Sequence, residues 1–256
     1  MGTCRKVVAL VSGAGSGLGT AVARRIVASG GRVVLSDISP AGKELADELG
    51  ELAVFAEADC RDEAAVSAAL DLAESTFGVP ISAAISTAGV VHAAKTVGKK
   101  GDAHALADFE RVLGVNVAGS FNVARLSAQR MATRAPDQVT GERGVIINTA
   151  SIAAFDGQAG QVAYAASKGA IVGMCLPMAR DLAPLRIRVC TIAPGIFETP
   201  MMAAAPDKVR DSLAASIPFP KRFGDPDEYA SFVETILLNP YLNGEVVRLD
   251  GAVRMG

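Results

Sequence analysis

A tyrosine and a lysine four positions apart, Tyr164 and Lys168, are the residues of this sequence best suited to acid–base chemistry. On a helix this spacing places both side chains on one face, although such pairs often lie on solvated helix surfaces. A phenol has a pKa near ~10, too high for a base at neutral pH, but a neighbouring ammonium favours the phenolate. Ser151 precedes this pair in the chain and follows an apolar run. It therefore lies at the end of a predicted strand, where parallel sheets place ligands. The pattern indicates proton transfer at a substrate oxygen.

A glycine-rich turn near the start of the chain indicates a bound phosphate. The segment Val11–Ile26, VSGAGSGLGTAVARRI, has the spacing G-x-x-x-G-x-G, formed by Gly13, Gly17 and Gly19. Glycine at these positions permits a tight turn and brings backbone amides at a helix start close to an anion. A flexible turn without a ligand is the alternative for an isolated motif. The strand–turn–helix context favours a dinucleotide site.

Asp37 ends the next predicted strand, about twenty residues beyond the turn, where a carboxylate can bind adenosine ribose hydroxyls. A carboxylate there repels a 2′-phosphate, and Ser16 leaves the glycine turn without a basic residue. Both observations favour NAD over NADP. The alternative is that Asp37 caps the following helix, whose start signal is Ser39-Pro40.

Short β-branched runs alternate with longer helical patterns along the chain. This alternation predicts an α/β fold, a Rossmann-type doubly wound parallel sheet of about seven strands with helices on both faces. No linker or repeat interrupts it, so a single domain over residues 1–256 is expected. Two long irregular connections are expected, at 90–104 and at 194–224, and the second is the predicted substrate loop. The expected strands are 7–11, 32–36, 53–56, 81–86, 144–149, 186–192 and 245–249, and the expected helices are 17–29, 40–50, 62–77, 105–133, 161–183 and 226–238.

Composition and charge argue against several classes of protein. The net charge is −2 with both signs interspersed, so neither nucleic acid nor a membrane surface is an expected partner. No uninterrupted apolar run reaches the ~20 residues of a membrane-spanning helix. Four scattered cysteines and two histidines predict no metal site and no disulfide framework. With no signal peptide before the first strand, we expect a cytoplasmic protein, or a mitochondrial matrix protein without a visible presequence if the source is a eukaryote.

Taken together, the motifs resemble the short-chain dehydrogenase/reductase family over the whole chain. Each piece is modest alone, but the ordered combination is specific. Two positions depart from the family pattern: Ser12 replaces a threonine before the glycine motif, and Ser86 replaces the asparagine of Asn-x-Ala-Gly. The hydrogen bonds of that asparagine are therefore missing or replaced here. The matching residues are Gly13-x-x-x-Gly17-x-Gly19, Asp37, Asp59, Ala88-Gly89, Asn116, Ser151, Tyr164-x-x-x-Lys168 and Pro194-Gly195.

The resemblance implies a role for each matching residue. Tyr164 is the acid/base on the substrate oxygen, Ser151 hydrogen-bonds the same oxygen, and Lys168 lowers the tyrosine pKa and holds the nicotinamide ribose. Asn116 supports a water relay to Lys168, with a satisfied core amide as the alternative. The resemblance also implies contacts between NAD and a larger set: Gly13, Ser16, Gly17, Leu18, Gly19, Asp37, Asp59, Cys60, Thr87, Ala88, Gly89, Tyr164, Lys168, Pro194, Gly195, Phe197 and Thr199.

Longer phrases, such as Thr191-Ile-Ala-Pro-Gly195, are similar to the branch of the family that acts on 3-hydroxyacyl-CoA and hydroxysteroids. This similarity implies NAD-dependent interconversion of a secondary alcohol and a ketone by hydride transfer, and hence a role in lipid metabolism. Apolar residues after Pro194 suit a greasy substrate, but they would equally pack a loop and a short helix. The expected substrate contacts are Ser151, Gln161, Tyr164, Phe197, Met201 and Met202.

Other functions stay open at this point. A 3-oxoacyl carrier-protein reductase and a small-alcohol dehydrogenase use the same chemistry, and a non-catalytic NAD-sensing scaffold uses the same fold. A scaffold needs no intact Asn116, Ser151, Tyr164 and Lys168, which argues against it. The long helical patterns at 105–133 and 161–183 resemble the dimer-forming helices of the family, which implies a homotetramer.

Overall fold

A computed structural model of the chain describes residues 7–203 and 206–255. Seven parallel strands form one sheet in the order β3-β2-β1-β4-β5-β6-β7. This order is that of a doubly wound sheet, so the predicted fold class is confirmed. The strands are β1 Val8–Ser12, β2 Arg32–Asp37, β3 Ala53–Glu57, β4 Ala83–Ser86, β5 Gly144–Thr149, β6 Ile187–Pro194 and β7 Val246–Leu249.

The helices lie on both faces of this sheet. They are α1 Gly17–Ala28, α2 Ala41–Leu49, α3 Glu63–Phe77, α4 Leu106–Leu113, α5 Ser120–Ala132, α6 Val162–Leu182, α7 Pro200–Ala203, α8 Asp207–Ser216 and α9 Pro226–Leu238. Short 3-10 turns occur at Gly50–Leu52, Ile152–Ala154 and Ala183–Leu185.

Two expectations about the helices are wrong. The single helix expected at 105–133 is two α-helices joined by a π-helical segment, Gly114–Gly119. The hydrophobic pattern hid this segment because a π-turn widens a helix without ending it. The connection 194–224, expected to be irregular, contains α7 and α8. Pro206 followed by the acidic Asp207 marks the start of α8.

The strands of the centre are buried on both faces because helices cover both sides. Successive residues of β1 show this: Leu10 packs with the layer beneath α3, α5 and α6, whereas Val11 packs with the layer beneath α1, α2 and α9. The second layer includes Tyr229 of α9, whose side chain is fully buried. The sheet is thus fixed between two apolar layers, which leaves its carboxyl edge as the place for a ligand.

The carboxyl ends of the central strands meet along one edge. Ser12 at the end of β1 pairs with Ser86 at the end of β4, and Ser86 pairs with Asn148 near the end of β5. Thr149, the last residue of β5, pairs with Ile192 of β6. The loops that follow these four strands therefore start side by side, at the topological switch point of the sheet.

Helix α6 and the turn after it, residues 162–185, form a segment long and apolar enough to cross a membrane, with a mean hydropathy of 1.3. This is weak evidence for a membrane span, since core helices of globular proteins pass the same test. The expectation of no membrane-length apolar run overlooked this helix because Tyr164, Ser167 and Lys168 interrupt the run. In the fold, α6 packs against β6 and carries the buried Lys168.

Candidate functional site

The glycine-rich turn after β1 is pressed against the loop after β4. Gly13 has a φ of +75°, and a Cβ placed on it would lie 2.5 Å from the backbone nitrogen of Ala88. A Cβ on Gly19 would overlap the carbonyl of Gly13 and the hydroxyl of Thr87. The glycines are therefore required by the packing of backbone on backbone, and this packing brings both loops to the same cleft.

The N-terminus of α1 offers free backbone donors to this cleft. Ser16 is the N-cap residue, but its side chain makes no capping hydrogen bond, and the first turn has no acidic residue. A helix start in this state attracts an anion through its unbonded N–H groups and its dipole. Gly17, with a φ of +55°, lies opposite Thr199, to whose methyl carbon a Cβ on Gly17 would come within 3.3 Å. The turn thus forms a cradle of the right chemistry for a diphosphate.

The carboxylate of Asp37 faces the glycine turn. One oxygen accepts a hydrogen bond from the backbone N–H of Gly15 at 2.8 Å, and the other accepts from the N–H of Ser39 at 2.8 Å. The N-cap residue of α2 is Pro40, so the suggestion that Asp37 caps that helix is wrong. Helix α2 begins at Ala41, one residue after the expected start. Asp37 joins the end of β2 to the turn after β1.

Asp59 and Cys60 line the same end of the cleft, after β3. Arg61 binds Asp59 with a 2.6 Å ion pair, and this bond holds the pKa of the carboxyl below its ordinary value. Burial raises the pKa of the Cys60 thiol to about 11, so the thiol is protonated at neutral pH. Its sulfur packs against Gly119 of the π-helical segment, where a Cβ would collide with it. Cys60 is a wall of the cleft and not a nucleophile.

Tyr164 and Lys168 lie together in the first part of α6, at the centre of the cleft. The Lys168 side chain is buried, and its Nζ donates to the carbonyl of Thr149 at 2.8 Å. The Nζ also lies 5.7 Å from the centroid of the Tyr164 ring. Burial lowers the pKa of Lys168 to about 8. Burial also raises the pKa of Tyr164, and a hydrogen bond with Ser151 opposes that increase.

Ser151 lies just past the end of β5. Its backbone is extended, and it begins the 3-10 turn Ile152–Ala154, whose Ala153 N–H donates to the Ser151 hydroxyl at 3.1 Å. The same hydroxyl interacts with the phenol of Tyr164 and opposes the increase of its pKa. Two hydroxyl groups therefore lie together in the cleft, within reach of a single substrate oxygen.

Asn116 lies behind the cleft and not in its wall. Its buried amide accepts from the N–H of Val90 at 2.8 Å and donates to the carbonyl of Val90 and to the hydroxyl of Ser167, both at 2.9 Å. The side chain is thus a satisfied core amide, which is the alternative left open by the sequence. It fixes the loop after β4 to α6 through Ser167. The water relay suggested for Asn116 stays a prediction.

The cleft has a volume of about 580 Å³, within the range of small-molecule sites. Of the expected substrate contacts, Ser151, Gln161, Tyr164, Phe197 and Met202 line it, whereas the side chain of Met201 lies outside what the structure describes. All the expected cofactor contacts line it as well: Gly13, Ser16, Gly17, Leu18, Gly19, Asp37, Asp59, Cys60, Thr87, Ala88, Gly89, Tyr164, Lys168, Pro194, Gly195, Phe197 and Thr199.

Sequence reasoning missed part of the wall. Val90 and Val91 follow Gly89 directly, so the glycine could have indicated them. Gln158 and Leu213 have no such signal, because their loops reach the cleft only through the fold. Met255 returns to the cleft from the other end of the chain, which no local pattern indicates.

Comparisons with known proteins agree with this geometry. Residues 7–210 match the model of the short chain dehydrogenase family. The chain is 55% identical to 3-hydroxyacyl-CoA dehydrogenase type-2 of Bos taurus over 98% of both chains. The crystal structure of 3-hydroxyacyl-CoA dehydrogenase type-2 from Mycobacterium avium is similar with a TM-score of 0.93, 41% identity, and coverage of 98% of this chain and 96% of that one. The structure of 3-ketoacyl-(acyl-carrier-protein) reductase from Brucella melitensis complexed with NADH gives a TM-score of 0.84 at 31% identity, covering 96% and 97% of the two chains.

Replacement of Gly13 tests the close approach of the two loops. Gly13→Ala is expected to lower the free energy of unfolding by about 1–3 kcal/mol more than Gly50→Ala, since only the first Cβ meets other atoms. Gly50 also has a positive φ, of +69°, but open space around it, so it controls for the positive φ. Urea denaturation of both variants gives the difference. Equal losses would show that Gly13 is needed for its backbone angle alone.

Proposed function

The chain belongs to the short-chain dehydrogenase/reductase family, and on this basis we propose that it is an NAD-dependent 3-hydroxyacyl-CoA dehydrogenase. The enzyme interconverts the 3-hydroxyl and the 3-keto group of an acyl-CoA. The observation that carries the proposal is the pairing of Tyr164 with the buried Lys168, placed beside Ser151 in a cleft that also contains a helix N-terminus without a side-chain cap. The 55% identity to the bovine enzyme over nearly its full length supports the substrate class.

The residues of the cleft fit NAD. The cradle at the start of α1 suits the diphosphate, and Asp37 binds the adenosine ribose and repels a 2′-phosphate. Asp59 and Cys60 line the cleft where they would flank the adenine. The nicotinamide half would be held by Lys168 through its ribose and by the loops after β4 and β6, whose lining residues are Thr87, Ala88, Gly89, Pro194, Gly195, Phe197 and Thr199. When bound, NAD accepts or returns the hydride, which is the redox part of the reaction.

The protein side chains manage the proton. In alcohol oxidation Tyr164 takes the hydroxyl proton of the substrate, and in ketone reduction it donates that proton. Ser151 binds the same oxygen and keeps it against the phenol. The Lys168 ammonium, 5.7 Å from the ring, stabilises the phenolate. Because burial raises the pKa of Tyr164, the phenol is protonated at neutral pH, which favours reduction there and oxidation at higher pH.

The outer wall of the cleft suits an acyl chain. Ile152 is buried, and it belongs to an apolar cluster with Met202, Leu213 and Met255 that borders the cleft. Gln161 adds a polar group beside this wall. A hydroxysteroid would use the same apolar surface. The identity to the bovine enzyme favours acyl-CoA as the substrate.

A 3-oxoacyl carrier-protein reductase is the second candidate. It is supported by the similarity to the Brucella melitensis reductase, at 31% identity. The two candidates share the reaction and differ in the group that carries the acyl chain, so only substrate comparison separates them.

Steady-state kinetics with NADH absorbance test the proposal. The panel is acetoacetyl-CoA, an acetoacetyl carrier protein, a steroid ketone and a simple ketone, and acetoacetyl-CoA is expected to give the highest kcat/KM.

Tyr164→Phe should lower kcat by about 10³-fold, since it removes the acid, and should change the Kd of NADH little. Tyr241→Phe is the matched control, because the Tyr241 ring is 96% exposed. Near-normal turnover in Tyr164→Phe would refute the assignment.

The assembly is a homotetramer in this proposal, and the outward face of α6 supports an interface between copies. Val162 and Leu176 are each 45% exposed there, and Ala166 lies between them. A Cβ on Gly169 or Gly173 would meet no atom within 4 Å. An apolar helix face with small residues suits the close approach of a second helix.

Sedimentation equilibrium tests the assembly. The wild-type chain should sediment as a tetramer, and Gly173→Lys should reduce the assembly to smaller species because it introduces a charge in the contact. Retained binding of NADH would show that the variant is folded. A monomeric wild type would contradict the proposed assembly.

The described cysteines Cys60, Cys175 and Cys190 are free and buried, which fits a reducing compartment. Location in the cytoplasm, or in the mitochondrial matrix of a eukaryote, and the lack of nucleic-acid and membrane partners stay predictions. An acyl-CoA substrate would give the protein a role in lipid metabolism.

A further inference from the structure

A buried tyrosine outside the cleft is hydrogen-bonded to the strand that carries the catalytic groups. Tyr229 of α9 is fully buried, and its phenol oxygen lies 2.7 Å from the hydroxyl oxygen of Thr149. The Thr149 hydroxyl lies in turn 2.6 Å from the carbonyl of Ser86. A carbonyl can only accept, so Thr149 gives its single proton to Ser86. Tyr229 must therefore be the donor to Thr149.

This chain of bonds acts where the strand pairing ends. Between β4 and β5 the pairing runs to Ser86 and Asn148, one residue before Thr149. The Thr149 hydroxyl continues the connection by binding the Ser86 carbonyl, and Tyr229 fixes the orientation of that hydroxyl. The carbonyl of the same Thr149 accepts from Lys168 Nζ at 2.8 Å. The side chain and the backbone carbonyl of Thr149 are thus both hydrogen-bonded.

Helix α9 is well placed to hold this residue. Its start is a complete capping box. The side chains of Asp225 and Glu228 each accept a hydrogen bond from the backbone N–H of the other residue. Arg25 of α1 binds Glu234 at 2.7 Å, which joins α9 to the helix of the glycine turn. The Tyr229 ring also packs edge to face against Phe197, a residue of the cleft wall, at 6.2 Å between centroids.

We propose that Tyr229 is a positioning residue for Lys168: its hydroxyl orients Thr149 so that the Thr149 carbonyl receives the buried ammonium. The inference rests on the proposed function, in which that ammonium stabilises the Tyr164 phenolate. Loss of the Tyr229 hydroxyl leaves the Thr149 side chain held by the Ser86 carbonyl alone, and this weakens the positioning of the Lys168 acceptor.

The electrostatic setting of Lys168 is simple. Tyr164, on the same helix, is the titratable group that faces its Nζ, and among the described residues Lys168 takes part in no ion pair. From β5 it meets the neutral carbonyl of Thr149, and Tyr229 beyond that residue stays a neutral donor because burial raises its pKa. Removal of one hydroxyl therefore changes the support of the ammonium without changing any neighbouring charge.

The test is Tyr229→Phe, which keeps the ring packed on Phe197. Two quantities are measured: the pKa of Lys168 by NMR of ¹³C-labelled lysine, and the pH profile of kcat for oxidation of a 3-hydroxyacyl-CoA. The Lys168 pKa should fall by roughly half a unit to one unit, because its charged form loses part of its hydrogen bond. Less of the ammonium is then present to stabilise the Tyr164 phenolate, so the acid limb of the profile should move to higher pH. The KM should stay within about twofold.

Val233→Ala is the matched control for stability. Val233 lies one turn along α9 and is 1% exposed, so its truncation destabilises the helix packing without touching Thr149. It should lower the Tm and leave the Lys168 pKa and the pH profile as in the wild type. In the Thr149→Val background, Tyr229→Phe should add no further shift, because both act through one chain of bonds.

A lower Tm in Tyr229→Phe with an unchanged Lys168 pKa and an unchanged profile would overturn the inference and leave Tyr229 a purely structural residue. Failure of the proposed function is distinguishable. In that case the wild-type chain would not turn over the acyl-CoA, while the NMR measurement would still report on the link between Tyr229 and Lys168.

Discussion

The hydrogen bond from the buried ammonium of Lys168 to the carbonyl of Thr149 is the contact on which the site depends. A buried charge is costly without a partner, so α6 must lie against the end of β5 with little tolerance. That placement also sets the position of Tyr164 over the cleft and of Ser151 just beyond the strand. Burial in this placement lowers the pKa of Lys168 to about 8 and raises the pKa of Tyr164.

Backbone packing provides the rest of the cleft. The glycine turn touches the loop after β4 through Gly13, and a Cβ on Gly195 would lie 2.8 Å from the Cα of Asp250, near the C-terminal segment. Asn116 bonds both backbone groups of Val90 and so fixes the loop after β4 to the catalytic helix through Ser167. Loops from β1, β4 and β6 thus meet through small residues and backbone groups, leaving the side chains of Tyr164 and Ser151 free for a substrate.

Features that depend on residues close together in the sequence could be predicted from the sequence alone. The four-residue spacing of Tyr164 and Lys168, the glycine turn and the alternation of strands and helices each depend on nearby residues, and the fold predicted from them is confirmed. The π-helical segment at Gly114–Gly119 was hidden because the helical pattern continues through it. The bond between Thr149 and Tyr229 joins residues eighty positions apart, and Met255 reaches the cleft from the end of the chain. Such contacts arise from the topology, so no local pattern indicates them.

The pH dependence of kcat in both directions, for the wild type and for Lys168→Met, tests the central claim most directly. If Tyr164 is the acid/base and Lys168 stabilises its phenolate, the oxidation rate rises with pH and the reduction rate falls through the same pKa. Removal of the ammonium raises the pKa of Tyr164, so both transitions should move to higher pH in the variant. Profiles that do not depend on pH, or transitions that Lys168→Met leaves in place, would contradict the account.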